Sequence, residues 1–148
     1  MKSRVSDFSD GTRSLAINGL GGSFFICGPC GVGKTHLAVA IMRAEIIRQS
    51  AGAYRIDTCV RGIFDAQFVP VTALLMRIKR AFGPEAGENE DEIISRVADA
   101  GLLVLDDLGS EKASEWVLQT IYTIVDVRSR ERRPVIITSN LSLDETAV

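Results

Sequence analysis

The sequence predicts an α/β fold in which a mostly parallel sheet is covered by helices on both faces. Short apolar runs rich in β-branched or aromatic residues alternate along the chain with longer segments of helical period. Each short run is apolar on both faces, which is typical of strands buried inside a parallel sheet. The 148 residues are 46% hydrophobic and 24% charged, a composition typical of one globular domain with a core of its own.

Four apolar runs predict the strands of this sheet. In chain order they are residues 23–27 (SFFIC), 68–71 (FVPV), 102–105 (LLVL) and 135–138 (VIIT). Turn-forming or polar residues bound each run, so none of them is long enough to be a buried helix.

Segments of helical period separate most of these strands. After the first strand, apolar residues recur at helical spacing from Leu37 to Ile47, and Gly52 is the stop signal. The remaining predicted helices lie at about 72–82, at about 91–100, and from near Ser114 to a point before Pro134. The stretch 85–92, which carries five acidic residues, is predicted to be a solvated loop.

The charge and the cysteine content exclude several classes of protein. A net charge of −2 argues against binding nucleic acid through bulk charge, so any DNA contact must come from a local basic cluster. Three cysteines, Cys27, Cys30 and Cys59, with a single histidine in the chain, fit neither a disulfide scaffold nor a zinc site. With no signal-peptide pattern and no membrane-spanning run, we expect a cytoplasmic protein.

The turn after the first strand has the full pattern of a phosphate-binding loop, G-x-x-x-x-G-K-T, between a strand and an amphipathic helix. Its glycines let backbone N–H groups turn towards a phosphate, and the helix N-terminus adds partial positive charge. Lys34 would contact the β- and γ-phosphates and the Thr35 hydroxyl would bind Mg²⁺. The predicted nucleotide-binding residues are Gly28, Pro29, Cys30, Gly31, Val32, Gly33, Lys34 and Thr35.

The same loop also contains a C-x-x-C pair. Cys27-Gly-Pro-Cys30 resembles the active site of thioredoxin. Redox catalysis is disfavoured because it leaves Gly33, Lys34 and Thr35 unexplained. A separate hypothesis is that oxidation of the pair distorts the loop and blocks nucleotide binding, and equal nucleotide affinity of the reduced and oxidised protein would exclude it.

Two carboxylates follow the third predicted strand. In phosphate-loop NTPases, one acid at this point coordinates Mg²⁺ or its waters and the next acid lies beside the attacking water. By this pattern Asp106 is the predicted metal ligand and Asp107 is the predicted catalytic residue. The alternative to a catalytic site is that the two acids only cap a loop after the strand. The fourth strand, apolar otherwise, has a polar end at Thr138-Ser139-Asn140. The amide of Asn140 would contact the water or the γ-phosphate, and a turn or helix cap explains it equally well on spacing alone.

Taken together, the motifs resemble the AAA+ ATPases of the bacterial helicase-loader (DnaC-type) and insertion-sequence helper (IstB-type) group. The resemblance lies in residues 28–41, 68–82, 102–116 and 133–145. It implies a three-layer phosphate-loop NTPase core and ATP with Mg²⁺ as ligands. It also implies Asn140 as a γ-phosphate sensor, a replicative helicase or a transposase as partner, and self-association of the family's complete module.

The resemblance further implies a helical insertion between the second and third strands that touches single-stranded DNA. Here that region carries Arg77, Lys79 and Arg80 on a helix ending at Phe82, which would supply a stacking platform. A solvated helix face is the alternative. A second basic cluster ends the long helix, where cations interact favourably with the helix dipole. The family's Asn-x-Arg-aromatic pattern is not matched around Arg128, which leaves open whether Arg128 has a role at a subunit interface.

By the same resemblance, we expect a short N-terminal segment at 1–22 and an ATP-binding core at 23–148 that lacks the final strand, the arginine finger and the lid. The first strand would then lie at an open sheet edge. Such a chain is expected to bind ATP and to hydrolyse it slowly without a partner. A small-molecule kinase and a non-hydrolysing interaction module are the alternatives.

Overall fold

The computed structural model describes residues 22–53, 65–83, 87–109 and 114–142. Four strands and four helices lie within these residues. In chain order they are β1 (Phe24–Cys27), α1 (Lys34–Ala53), β2 (Ala66–Pro70), α2 (Val71–Ala81), α3 (Glu90–Asp99), β3 (Leu102–Leu108), α4 (Glu115–Arg130) and β4 (Val135–Ser139).

The strands form one parallel sheet in the order β1-β4-β3-β2. The predicted α/β class and parallel sheet are therefore confirmed. Within the described part of the chain, β1 lies at one edge of the sheet, as expected, and β2 lies at the other. Parallel strands carry their carboxyl ends to the same edge, so the turns after β1, β3 and β4 meet there.

Helices cover both faces of the sheet because successive side chains of a strand point to opposite sides. On one face, Leu102 and Val104 of β3 pack with Ala38 of α1. On the other, Leu103 and Leu105 pack with residues of α2, α3 and α4. The central strands are thus buried on both sides, which gives the three-layer arrangement.

Local capping explains where two of the helices begin. Asn89 accepts a hydrogen bond from the Glu92 backbone N–H at 2.8 Å, and the Glu92 side chain accepts one from the Asn89 backbone N–H at 3.1 Å. This capping box starts α3 at Glu90, so the predicted solvated loop at 85–92 is wrong for its last three residues. Ser114 accepts from the Val117 backbone N–H at 3.3 Å and caps α4, as predicted.

Each strand differs from its predicted bounds by one to three residues, and two of these differences concern the site. Val71 was predicted to end the second strand but begins α2, because Pro70 lies at the N-cap position with extended backbone. The third strand does not stop at Leu105 but continues through both acidic residues to Leu108. The strand extension matters for function because it brings the two carboxylates inside the sheet.

Several sequence predictions fall outside the described residues. They are the predictions for residues 1–21 of the N-terminal segment and for Cys59. Within the described part of the chain, no helix is long and apolar enough to cross a membrane.

Candidate functional site

The loop between β1 and α1 wraps around the amino group of Lys34. Gly31 and Gly33 have φ angles of 81° and 91°, a backbone region that favours glycine and lets the loop turn inward. Lys34 is buried, and its Nζ donates to the carbonyl oxygens of Gly28 at 2.9 Å and Pro29 at 3.0 Å. It also donates to Oδ1 of Asn140 at 2.7 Å. The loop and the end of β4 therefore share this lysine.

A β-bulge in β3 brings two consecutive carboxylates to the same site. Leu105 pairs with Ile137, whereas Leu108 pairs with Ser139, so β3 carries one more residue than β4 across this interval. Asp107 has a φ of 61°, which few residues other than glycine adopt. In a regular strand its side chain would point to the opposite face from Asp106.

The carboxylate of Asp106 faces the first turn of α1. Its Oδ1 accepts a hydrogen bond from the Thr35 hydroxyl at 2.9 Å and another from the Thr138 hydroxyl at 2.7 Å. Hydroxyl and carboxylate oxygens are the donors that Mg²⁺ prefers, and proteins commonly bind it through one or two carboxylates together with substrate phosphates. The Thr35 hydroxyl and the Asp106 carboxylate, which lie side by side, therefore fit Mg²⁺ that is shared with a phosphate.

Asn140 connects the second carboxylate to the loop. Its Nδ2 donates to Asp107 Oδ1 at 2.9 Å, while its Oδ1 accepts from Lys34 Nζ. The three side chains form a continuous hydrogen-bonded line from the phosphate loop to the end of β3. The structure thus brings together Lys34, Thr35, Asp106, Asp107 and Asn140, which are separated by up to 106 positions in the sequence.

Sequence reasoning missed two hydroxyl groups at the end of β4. Thr138 accepts from the Asp107 backbone N–H at 2.9 Å in addition to its bond to Asp106. Ser139 donates to the Leu108 carbonyl at 2.7 Å and accepts from the Leu141 N–H at 3.0 Å. In the sequence these two residues are only the polar end of an apolar strand, and a bulge partner leaves no local pattern that would assign them a role.

The predicted DNA-contacting residues lie on α2, away from the hydrogen-bonded line. Arg77 forms an ion pair with Glu88, which also pairs with Arg96 at 2.7 Å. These two cations hold the pKa of the Glu88 carboxyl below its usual range. Lys79 Nζ lies 5.5 Å from the ring centre of Trp116. Arg80 is exposed.

The aromatic residue that follows α2 lies beside these cations. Phe82 is 62% exposed, and its ring packs edge-to-face on Trp116 with a centroid distance of 6.4 Å. The cations and the ring therefore share the C-terminal end of α2, and Arg77 is engaged by an acidic neighbour.

Arg128 does not belong to an exposed basic cluster. It is 0% exposed, and its guanidinium donates to the carbonyl oxygens of Ala98 at 2.8 Å, Ala100 at 2.7 Å and Pro134 at 2.5 Å. Burial lowers its pKa to about 10, so it stays charged at neutral pH. The sequence explanation, an interaction with the dipole of its own helix, is incomplete: Arg128 binds the carboxyl end of α3 and the start of β4.

The two cysteines of the C-x-x-C pair lie at opposite ends of the first half of the loop. Cys27 is the last residue of β1 and is half-buried, and Cys30 is exposed. The backbone between them provides the two carbonyl groups that accept from Lys34. The hypothesis that oxidation of this pair distorts the loop and blocks nucleotide binding stays a prediction.

Comparisons with known proteins identify the family to which the chain belongs. The IstB-like ATP-binding protein family matches residues 21–147. The chain is 27% identical over 123 residues to the replicative helicase loader DnaC of Escherichia coli (strain K12). The aligned residues cover 83% of this chain and 44% of that protein. It is 27% identical over 146 residues to the replicative helicase loader DnaI of Bacillus subtilis (strain 168), 98% and 40% of the two chains. It thus spans less than half the length of these relatives.

Solved structures give the same result. A crystal structure of the DnaC helicase loader superposes with a TM-score of 0.66 and 31% identity, over 92% of this chain and 70% of that one. The structure of the replication initiator DnaA bound to AMPPCP and single-stranded DNA shares the fold, with a TM-score of 0.64 and 17% identity. The superposition covers 90% of this chain and 37% of that one. The chain belongs to the IstB-like ATP-binding protein family, within the AAA+ ATPases of the DnaC and IstB type.

Proposed function

We propose that the chain is the ATP-binding core of a DNA-replication helicase loader. The observation that carries this proposal is the hydrogen-bonded line from Lys34 through Asn140 to Asp107, with Thr35 and Asp106 bonded beside it. It joins the predicted phosphate-binding loop, the two predicted metal ligands and the predicted catalytic acid at one edge of the sheet. Such a combination suits binding and cleavage of a nucleoside triphosphate.

In this proposal each side chain has a separate task. The loop from Gly28 to Gly33 presents backbone N–H groups to the phosphates, and Lys34 adds a positive charge. Thr35 and Asp106 hold Mg²⁺, which neutralises charge on the phosphates when it is bound. Asp107 orients or deprotonates the attacking water, and Asn140 senses the γ-phosphate.

We also propose that the chain hydrolyses ATP slowly without a partner. Asp107 takes a position that is more often held by the longer Glu, so its carboxylate reaches less far towards a water. An arginine from a neighbouring subunit, where one is supplied, typically accelerates such a reaction about 10³-fold or more.

The proposed partners follow from the relatives, which are named replicative helicase loaders. We propose a replicative helicase as the protein partner and single-stranded DNA as a ligand of α2. A transposase is the alternative, because the family that matches is the IstB-like one. Co-purification of the chain with a replicative helicase and with a transposase separates the two assignments.

ATP titration of wild type and Lys34→Ala tests the nucleotide site. The variant removes a charge-assisted contact to phosphate, so we expect its affinity for ATP to fall about tenfold or more. Lys79→Ala, which removes a lysine on α2, is the matched control and should bind ATP as wild type does. Equal affinity of all three proteins would refute the site assignment.

A further inference from the structure

The hydroxyl of Thr138 lies at the centre of the bulge that carries the two carboxylates. Thr138 is 1% exposed, so its hydroxyl relies on protein groups for hydrogen bonds. It accepts from the Asp107 N–H at 2.9 Å and donates to Asp106 Oδ1 at 2.7 Å. One side chain therefore contacts both the backbone of the bulge and the carboxylate next to it.

These two bonds constrain Asp106 from both sides. The bond from the Asp107 N–H fixes the backbone at the residue with positive φ, where the strand leaves its regular path. The bond to Asp106 Oδ1 fixes the rotation of the carboxylate and leaves it pointing at the Thr35 hydroxyl. Only a group that donates and accepts at the same point can make both bonds, which among similar side chains means Ser or Thr.

We propose that Thr138 is a positioning residue that aims the Asp106 carboxylate at the Mg²⁺ of a bound nucleotide. The inference rests on the proposed function, since it needs a nucleotide-bound metal. Groups that hydrogen-bond to metal ligands typically change metal affinity by about 10- to 100-fold when they are removed. Thr138 therefore controls how much Mg²⁺ adds to nucleotide affinity.

Nucleotide affinity with Mg²⁺ and with EDTA, measured by titration of a fluorescent ATP analogue, tests this inference. Thr138→Val keeps the shape of the side chain and removes the hydroxyl. We expect its affinity with EDTA to match wild type and its affinity with Mg²⁺ to fall about tenfold. Thr138→Ser should retain the wild-type response to Mg²⁺. Thr120→Val is the matched control, because Thr120 is also buried but donates within α4 to the Trp116 carbonyl.

The outcomes separate this inference from the proposed function. If wild type binds nucleotide more tightly with Mg²⁺ and Thr138→Val does the same, the inference fails and the proposed function stands. If wild type binds no nucleotide, the proposed function fails first. Should Thr138→Val fail to fold, Thr138→Ser and Thr138→Ala differ only by the hydroxyl. Loss of the Mg²⁺ response in Ala alone then supports the inference, and equal responses overturn it.

Discussion

Asp106 and Asp107 serve one site only because the strand that carries them is irregular. A regular strand would send their carboxylates to opposite faces of the sheet. The bulge between Leu105 and Leu108, with positive φ at Asp107, brings both to the edge where Lys34 and Asn140 lie. The acidic pair was visible in the sequence. The bulge was not, since it depends on a hydroxyl 31 positions further along the chain.

Asp107→Asn separates the proposed catalytic role from binding. Asn tolerates positive φ as Asp does, and its amide oxygen can still accept from Asn140, so we expect ATP affinity to be unchanged. Loss of the carboxylate base should lower single-turnover hydrolysis about 100-fold. Asp126→Asn, on the exposed ion pair with Arg130, is the control and should hydrolyse ATP at the wild-type rate. Unchanged hydrolysis in Asp107→Asn would rule out the assigned role.

The turn that leaves β3 depends on a glycine. Gly109 has a φ of 90°, and a Cβ added there would lie 2.8 Å from Cδ1 of Leu141. We expect Gly109→Ala to lower the free energy of unfolding by about 2 kcal/mol, measured by urea titration. Gly87→Ala is the control, because its Cβ would meet nothing within 4 Å. Equal stability of the two variants would contradict the expected strain.

Helices α2 and α3 were predicted to within about one residue at each end, because apolar spacing and capping residues are local signals. Helix α1 does not stop at the predicted Gly52 but continues to Ala53. The long helix begins after Ser114 as predicted and ends at Arg130, before Pro134. What holds the helices to one another is not local. Arg128 follows a run of helical period and is indistinguishable in sequence from the exposed Arg130, yet its guanidinium joins α4 to the end of α3.

Arg128→Met tests this connection. Met fills much of the same volume but leaves the carbonyl groups of Ala98, Ala100 and Pro134 without the guanidinium donors. Part of that cost is offset because the buried Nε of Arg128 finds no acceptor among the described residues. We therefore expect the free energy of unfolding to fall by about 2 kcal/mol.

The matched control for that variant lies two positions further along the same helix. Arg130→Met breaks only an exposed pair with Asp126 and should change the free energy of unfolding by about 0.5 kcal/mol or less. Urea unfolding of both variants measures the two changes in the free energy of unfolding. If they are equally stable, the buried guanidinium does not stabilise the packing of α3 on α4.

At the scale of the whole molecule, the sheet places the nucleotide site next to the start of α2. Pro70, the last residue of β2, pairs with Asp106, and α2 begins at the next residue. The same helix carries Arg80 and ends beside Phe82, about 15 Å from its start at 1.5 Å per residue. The parallel order makes this proximity predictable in outline, because the carboxyl ends of all strands meet at one edge. A rigid helix of this length could couple the two ends.

We therefore expect ATP and single-stranded DNA to affect each other's binding. If α2 links the sites, ATP should change DNA affinity about fivefold or more, and DNA should change ATP affinity by the same factor, because coupling free energies are reciprocal. Fluorescence anisotropy of a labelled oligonucleotide, with and without ATP, measures the first factor. Titration of the nucleotide at saturating DNA measures the second, and factors of about 1 in both titrations would exclude a coupling through α2.

Arg80→Ala shows whether α2 is the DNA-contacting element. Losing one phosphate contact should weaken DNA binding and reduce the slope of log affinity against log salt by about 0.7. Arg130→Ala removes another exposed arginine, at the opposite end of α4 from Trp116. It is the control and should leave the slope unchanged. If Arg80→Ala binds DNA as wild type does, the basic end of α2 is a solvated helix face. A coupling that survives in that variant would then have to reach the DNA through another element.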